Sequence, residues 1–326
     1  MRAIPLYAAL CLLAAASLLL AVMLGSMALT PGEVMAVLAG GGEALHRTVI
    51  LELRLSRALA AFATGGLLAV AGALMQVLLR NPLADPYVLG VSGGAAMGAL
   101  LAMLAGLGAA LVSGSAFAGA LLSTFLVFGL ARGRGAWTSS RLLLTGIVVA
   151  AGWGAMIGFV LSVAPRDDLP GMLFWLMGDL GRAGNPWPAL GVLALGLAAC
   201  WPLGRSLNLI ARGPLQAASL GIPVRAMEMT VYVTASLLTA VAVTLAGTVG
   251  FVGLVIPHMI RLLIGNDQRK LLPASALAGG ALVVIADTLA RTAMAPQQLP
   301  VGVITALIGV PTFLYLLNRR TAGGRT

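Results

Sequence analysis

The chain has 326 residues, of which 60% are hydrophobic and only 9% are charged, and its mean hydropathy is +1.02. A soluble domain of this size has too little interior to hide so much apolar surface, which excludes a soluble enzyme or binding module. The net charge of +10 does not indicate a nucleic-acid partner, because the basic residues are scattered in small groups between apolar runs.

Apolar runs of helix-spanning length recur along the whole chain. In lipid only helices or closed barrels satisfy every backbone polar group, and the runs lack the alternation of apolar and polar residues that barrel strands require. The sequence therefore predicts an all-α, polytopic membrane protein with about ten transmembrane helices in one domain, 1–326. The predicted spans are 4–25, 57–79, 91–110, 114–131, 141–163, 187–204, 229–248, 251–265, 273–290 and 301–317.

The basic residues are divided unevenly between the two sides that these ten spans define. The N-terminal run resembles a secretory signal, but the apolar runs after it favour an uncleaved first span. Fourteen of the 20 Arg and Lys residues fall in the segments on the side of the N-terminus, whereas seven of the ten acidic residues fall on the other side. The positive-inside rule then supports ten spans with both termini in the cytoplasm.

Small residues follow single helix faces at four-residue spacing in two of the predicted spans. Gly90, Gly94 and Gly98 form one such series, and Gly154 with Gly158 forms another. Because small residues let helix backbones approach closely in lipid, both series predict packing seams between helices.

The longest cytoplasmic connection, 204–228, contains a short predicted helix. Pro214 is placed to begin this helix, and Gly221 with Pro223 is placed to end it. A capped helix of about two turns against the membrane face is more than a connector needs, so we expect it to bind a partner protein.

Chemistry-bearing residues are scarce. The single lysine, Lys270, does not follow a glycine-rich loop, so the chain is not expected to hydrolyse nucleotide or to act as an enzyme. Two histidines and two cysteines predict no metal site, and no cofactor is expected on the chain. The clearest acid within a span, Asp287, lies four residues before Arg291, which predicts an ion pair. A chain without its own energy source must be driven by another protein; the alternative is an ion-coupled secondary transporter.

Three motifs identify a family resemblance. "RNPLADPYVLGVSGGA" (80–95), "GFVGLVIPHMIRL" (250–262) and "QLPVGVITALIGVPTFLYLL" (298–317) resemble the permease subunits of type II ABC importers, which take up vitamin B12, ferric siderophores or haem. The resemblance implies a homodimer of ten-helix subunits that moves its cargo by alternating access. It also implies two separate ATPase subunits, which carry ATP and Mg²⁺, and a periplasmic substrate-binding protein. Iron chelates are the favoured cargo, with haem as one strong candidate.

The resemblance also assigns roles to residues of this chain. The segment 204–228 matches the coupling segment that fits into the ATPase. The outer arginines match positions that pair with glutamates of the binding protein, and the fifth span matches the helix that lines the path. The implied coupling residues are Pro214, Leu215, Ala218, Leu220, Gly221 and Pro223; the docking residues are Arg54, Arg57 and Arg291; the gate and path residues are Thr138, Ser139, Ser140, Trp153 and Met156.

Overall fold

The computed structural model describes residues 3–25, 27, 29–132 and 138–322, and within those ranges the chain forms helices and no strand. This confirms the predicted all-α class. The α-helices are α1 (Ala3–Met23), α2 (Pro31–Leu38), α3 (Ala44–Arg47), α4 (Ser56–Leu78), α5 (Val91–Leu104), α6 (Ala109–Arg132), α7 (Ser139–Val163), α8 (Leu169–Leu176), α9 (Trp187–Arg212), α10 (Pro214–Ser219), α11 (Val224–Ala246), α12 (Val252–Ile264), α13 (Gln268–Thr292) and α14 (Val301–Ala322). A π-helical segment, Thr48–Leu55, joins α3 to α4, and a 3-10 turn, Pro86–Leu89, precedes α5.

Each predicted span corresponds to one apolar helix, namely α1, α4, α5, α6, α7, α9, α11, α12, α13 or α14. Within the described ranges, seven helices are long and apolar enough to cross a bilayer. Three apolar helices are shorter, namely α5, α12 and the apolar part of α14. The chain is therefore a multi-pass membrane protein.

Helix α4 forms the centre of the molecule and is buried along nearly its whole length. Its glycines explain how other helices come so close. A Cβ atom on Gly65 would overlap the carbonyl oxygen of Gly279 in α13, and one on Gly72 would overlap that of Gly253 in α12. Backbone therefore packs directly on backbone, which supplies the dispersion contacts that hold helices together in lipid.

The two short helices α5 and α12 begin inside the protein. At 14 and 13 residues each spans only about 20 Å, less than the ~30 Å of a hydrocarbon core. The left-handed residues Gly90 (φ 72°) and Phe251 (φ 68°) precede them. The Tyr87 hydroxyl donates to the carbonyl oxygen of Val249 (3.1 Å) and accepts from its N–H (3.0 Å). The irregular backbone before α12 is tolerated inside the protein, because the Tyr87 side chain hydrogen-bonds its N–H and carbonyl groups away from lipid.

The first predicted glycine seam is confirmed. Gly94 and Gly98 of α5 face α6, where added Cβ atoms would overlap the carbonyl oxygens of Gly119 and Ser115. The second predicted seam is wrong for the single chain, because Gly154 and Gly158 pack against no other helix of it. Nothing lies within 4 Å of the Cβ positions of Gly154 and Gly158, because their face of α7 is exposed.

Helices α1 and α13 run side by side in the same direction. The Tyr7 hydroxyl donates to the carbonyl oxygen of Lys270 (2.7 Å) at their starts, and Arg291 donates to that of Ala21 at their ends. Two spans that both start in the cytoplasm must be parallel, as the predicted topology requires. Arg2, Arg134 and Arg325, which contribute to the charge count, lie outside the described residues.

Candidate functional site

The three predicted docking arginines meet at the C-terminal ends of α1 and α13. Arg57 binds Asp287 bidentately, with Nε 2.9 Å from Oδ2 and Nη2 2.8 Å from Oδ1, and its Nη1 donates to the Gln298 side chain at 3.0 Å. Only 3% of the Asp287 side chain is exposed. This two-point geometry is the strong form of the arginine–carboxylate interaction.

The other two arginines cap α1. Arg54 donates from Nη1 to the carbonyl oxygens of Val22 (2.9 Å) and Met23 (3.0 Å), and from Nη2 to that of Met27. Arg291 donates to the carbonyl oxygen of Ala21. The last carbonyls of a helix have no partner within the helix and carry the negative end of its dipole, so guanidinium groups stabilise α1 there.

Arg291 also confirms the predicted i,i+4 ion pair, since its Nε lies 3.7 Å from Oδ2 of Asp287. Arg57, however, is the closer partner of that carboxylate. The exposure on which the docking prediction depends is not found, because Arg54 is only 5% exposed and all three guanidinium groups bind groups of the same chain. Their docking role stays a prediction.

The short helix predicted within 204–228 is confirmed as α10. Pro214 occupies its first turn, Gly221 follows it in the left-handed conformation (φ 78°), and the Ile222 N–H closes the end on the Ala217 carbonyl oxygen at 3.1 Å. This is the Schellman arrangement that ends a helix sharply. The buried Ala217 faces the protein.

The outer side of α10 is apolar. Leu215 is 87% exposed and Leu220 is 59% exposed. Ala218, Gly221 and Pro223 are exposed as well. Five of the six predicted coupling residues are therefore exposed together on a short capped helix and its turn, and the sixth, Pro214, is half-buried. Such an exposed, largely apolar surface is typical of a protein-binding site.

The residues before and at the start of α7 have mostly local roles. Thr138 caps the helix, with its hydroxyl accepting from the Arg141 N–H at 3.2 Å. The buried Ser139 donates to the carbonyl oxygen of Leu78 (3.1 Å) and so ties α7 to the end of α4. Thr138 and Ser140 are exposed, and Ser139 is buried.

The two predicted path residues lie on one shallow groove. Trp153 and Met156 line a volume of about 720 Å³ together with residues of α5 and α6. Met156 is exposed, but Trp153 is anchored, because its Nε1 donates to the hydroxyl of Ser123 at 2.9 Å and Ser123 donates to the Gly90 carbonyl oxygen at 2.8 Å. Trp153 thus connects α7 to α6 and to the start of α5.

Comparison with known proteins identifies the family. Residues 12–319 match the FecCD transport family. This chain belongs to the FecCD transport family.

Several relatives of this FecCD chain are named as permeases. It is 41% identical over 279 residues to the hemin transport system permease HmuU of Yersinia pestis, which covers 83% of each chain. It is 40% identical over 280 residues to the cobalamin import system permease BtuC of Halobacterium salinarum, covering 84% of this chain and 74% of that one. It is 37% identical over 295 residues to the ABC transporter permease YvrB of Bacillus subtilis, covering 88% and 83%.

The fold agrees with the family. A solved structure described as an inward-facing conformation of a "metal-chelate type ABC transporter" matches with a TM-score of 0.86 and 28% identity, covering 96% of this chain and 98% of the other. The chain is therefore a permease subunit of an ABC transporter, and the predicted family resemblance is confirmed.

Sequence reasoning missed the polar partners that hold this FecCD chain together. Gln298 begins the third motif but was assigned no contact, Ser123 lies in no motif, and only the fold brings them to Arg57 and Trp153. Asp287 was linked to Arg291 by the i,i+4 rule, but Arg57 lies 230 residues away along the chain. No local pattern could indicate that contact.

Proposed function

We propose that this chain is the membrane subunit of an ATP-driven importer that moves a large metal chelate from a periplasmic binding protein into the cytoplasm. Two copies form the path, and a separate ATPase subunit binds ATP and Mg²⁺. The subunit lies in the bacterial inner membrane with both ends in the cytoplasm, and transport proceeds by alternating access.

The observation that carries this proposal is the apolar surface of α10. A leucine as exposed as Leu215 is unfavourable in water, and its rigid, capped helix makes it suitable to fill a pocket of another protein. The helix follows α9 after one residue and leads through a short turn into α11. A force applied to α10 is therefore transmitted directly to two long helices of the membrane domain.

The exposed face of α7 supports the pairing of two copies. Gly154 and Gly158 lie on that face, whereas Met156 lies on the side of α7 that lines the groove with α5 and α6. Large apolar side chains such as Val148 and Phe159 are exposed as well. A smooth glycine surface can approach a second backbone closely or let a bulky ligand slide past. Both uses are expected of a helix at the centre of a dimer.

The relatives support a metal chelate as cargo without selecting one. The hemin and cobalamin permeases are 41% and 40% identical to this chain, so identity does not separate them. Iron chelates, with haem as one strong candidate, remain the favoured class. The cargo is identified by the ligand that the cognate binding protein retains on purification.

The test is ATP hydrolysis by the cognate ATPase subunit, measured in lipid nanodiscs with and without this chain. We expect hydrolysis to depend on the chain and Leu215→Asp to weaken that dependence about tenfold or more, since a charge replaces an apolar anchor that the ATPase subunit would bury. Leu83→Asp is the matched control, because Leu83 is also exposed and lies in a different turn, after α4. Equal effects of the two variants, or none from Leu215→Asp, would contradict the role of α10.

A further inference from the structure

A polar pocket lies among the ends of four helices on the side that the charge distribution assigns to the cytoplasm. It has a volume of about 620 Å³ and is formed by the C-terminal ends of α4, α9 and α12 and by the turn before α13. Arg80, Arg212 and Arg261 all line it, and we call it the three-arginine pocket. Its volume is in the range of small-ligand sites.

The pocket has a strong excess of positive charge. Its one acidic lining residue, Asp267, is already paired, with Oδ2 3.0 Å from Nη2 of Arg269, and the Asn208 amide donates to Oδ1 at 3.0 Å. The hydrogen bond from Arg269 is the main cause that lowers the pKa of Asp267 to about 2, so the carboxylate stays ionised and bound to its own partner. Neither Arg80 nor Arg212 forms an ion pair with a described residue.

The third arginine, Arg261, is oriented by a hydrogen bond to a buried side chain. Arg261 donates from Nη1 to Oε1 of the buried Gln76 at 2.8 Å, and Gln76 donates to the Leu254 carbonyl oxygen at 3.2 Å. A guanidinium oriented in this way loses less conformational freedom when it binds an anion. The pocket is therefore built before any ligand arrives.

A second observation shows what else the ligand must offer. Gln268 lines the pocket and is only 1% exposed, yet its Oε1 accepts no hydrogen bond from any described residue. Its backbone N–H donates to Asn208 Oδ1 at 2.8 Å, which fixes the start of α13. A buried acceptor without a donor costs free energy, so a ligand with an O–H group is favoured there.

We propose that the three-arginine pocket binds a phosphate group that also presents a hydroxyl donor, with the arginines binding the phosphate oxygens and Gln268 accepting from the hydroxyl. A phosphatidylglycerol headgroup at the cytoplasmic leaflet has this chemistry, and so does free hydrogen phosphate. Guanidinium groups bind phosphate oxygens in a matching fork geometry, and basic pockets between helices on this side of a membrane bind anionic headgroups. The site does not depend on the transport function proposed above.

Two arms distinguish the sources of phosphate, and both use the full chain. In the first, equilibrium dialysis measures binding of radiolabelled inorganic phosphate to the delipidated chain in neutral detergent. In the second, native mass spectrometry counts phosphatidylglycerol retained after extraction from nanodiscs of phosphatidylglycerol and phosphatidylcholine. Saturable binding in either arm supports the site, and the arm that gives it identifies the source.

The decisive variant is Arg80→Gln with Arg212→Gln, which we expect to weaken saturable binding tenfold or more. Its matched control, Arg205→Gln with Arg225→Gln, removes two exposed arginines outside the pocket and leaves binding unchanged. Equal losses in both double variants would show non-specific attraction and overturn the proposal. Binding of neither probe would also overturn it, because an acidic side chain of a partner subunit would then be the better occupant.

Gln268→Met tests the hydroxyl contact separately. Sulfate resembles phosphate in shape and charge but has no O–H at neutral pH, so the natural chain should bind phosphate about tenfold more tightly than sulfate. We expect Gln268→Met to abolish that preference while the arginines still bind both anions. A preference unchanged by the substitution would refute the role of Gln268.

Discussion

Helices α4 and α7 have similar lengths and apolar compositions, and both contain glycines, yet the protein uses them in opposite ways. The glycines of α4 meet the backbones of α12 and α13, and nearly every residue of α4 is buried. The glycines at 152, 154 and 158 of α7 meet nothing within 4 Å, and most of that helix is exposed. Small residues therefore complete the fold of one chain in α4 and remain available for a second body in α7.

The same contrast separates the arginines of the two faces. The outer arginines Arg54, Arg57 and Arg291 bind carbonyl and carboxylate oxygens of their own chain. Arg80 and Arg212, on the side that the charge distribution assigns to the cytoplasm, are exposed on a pocket. An arginine at a helix end can therefore stabilise its own chain or remain available for a ligand, and only its contacts distinguish the two roles.

The largest effect is expected from Gly72→Val in α4. The first side-chain carbon would occupy the position of the Gly253 carbonyl oxygen, so α4 and α12 would have to separate. Overpacking against backbone costs about 3 kcal/mol or more and should abolish the yield of monodisperse protein. Gly158→Val is the matched substitution on α7, and equal yields for the two variants would contradict the contrast.

Asp287→Ala is expected to leave a chain that still folds but is less stable. It removes the buried carboxylate that Arg57 binds at two points and leaves the guanidinium unpaired, which costs about 3–5 kcal/mol of the free energy of unfolding. Thermal unfolding in detergent measures this loss. The control Glu52→Ala removes an exposed carboxylate from the preceding helical segment and should change stability by less than about 0.5 kcal/mol. A wild-type melting temperature for Asp287→Ala would mean that the arginines are not held as described.

Ser123→Ala should cost about 1–3 kcal/mol, because the buried hydroxyl joins the Trp153 indole to the Gly90 carbonyl. The control is Ser162→Ala near the end of α7, whose exposed hydroxyl bonds only to the neighbouring turn. Thermal unfolding of the two variants compares them directly. If both variants melt alike, Trp153 is not the link between α7 and α6.

The smallest effect on the single chain is expected from Gly158→Val itself. Nothing within 4 Å of its Cβ position resists a side chain, so the free energy of unfolding should change by less than about 0.5 kcal/mol. If the exposed face of α7 serves a second copy or the cargo, the same variant should lower uptake into proteoliposomes. Normal uptake would mean that this face of α7 only contacts lipid.

The helices were predictable because lipid demands long apolar segments, and their lengths and breakers are written locally in the sequence. The capped α10 was predictable for the same reason, since Pro214 and Gly221 act on their own backbone. The ion pair of Arg57 was not predictable, because its partner Asp287 belongs to another span. The exposure of Gly154 was not predictable either, because four-residue spacing shows that small residues share a helix face but not whether another helix packs against it.

The most direct test of the account is uptake of a haem or ferric-chelate cargo by proteoliposomes that contain this chain, with and without its cognate ATPase subunit. We predict that uptake requires the ATPase subunit, ATP and an intact α10. Leu215→Asp should abolish this uptake, and Leu83→Asp should preserve it. Uptake that persists without the ATPase subunit and follows an ion gradient instead would contradict the central claim.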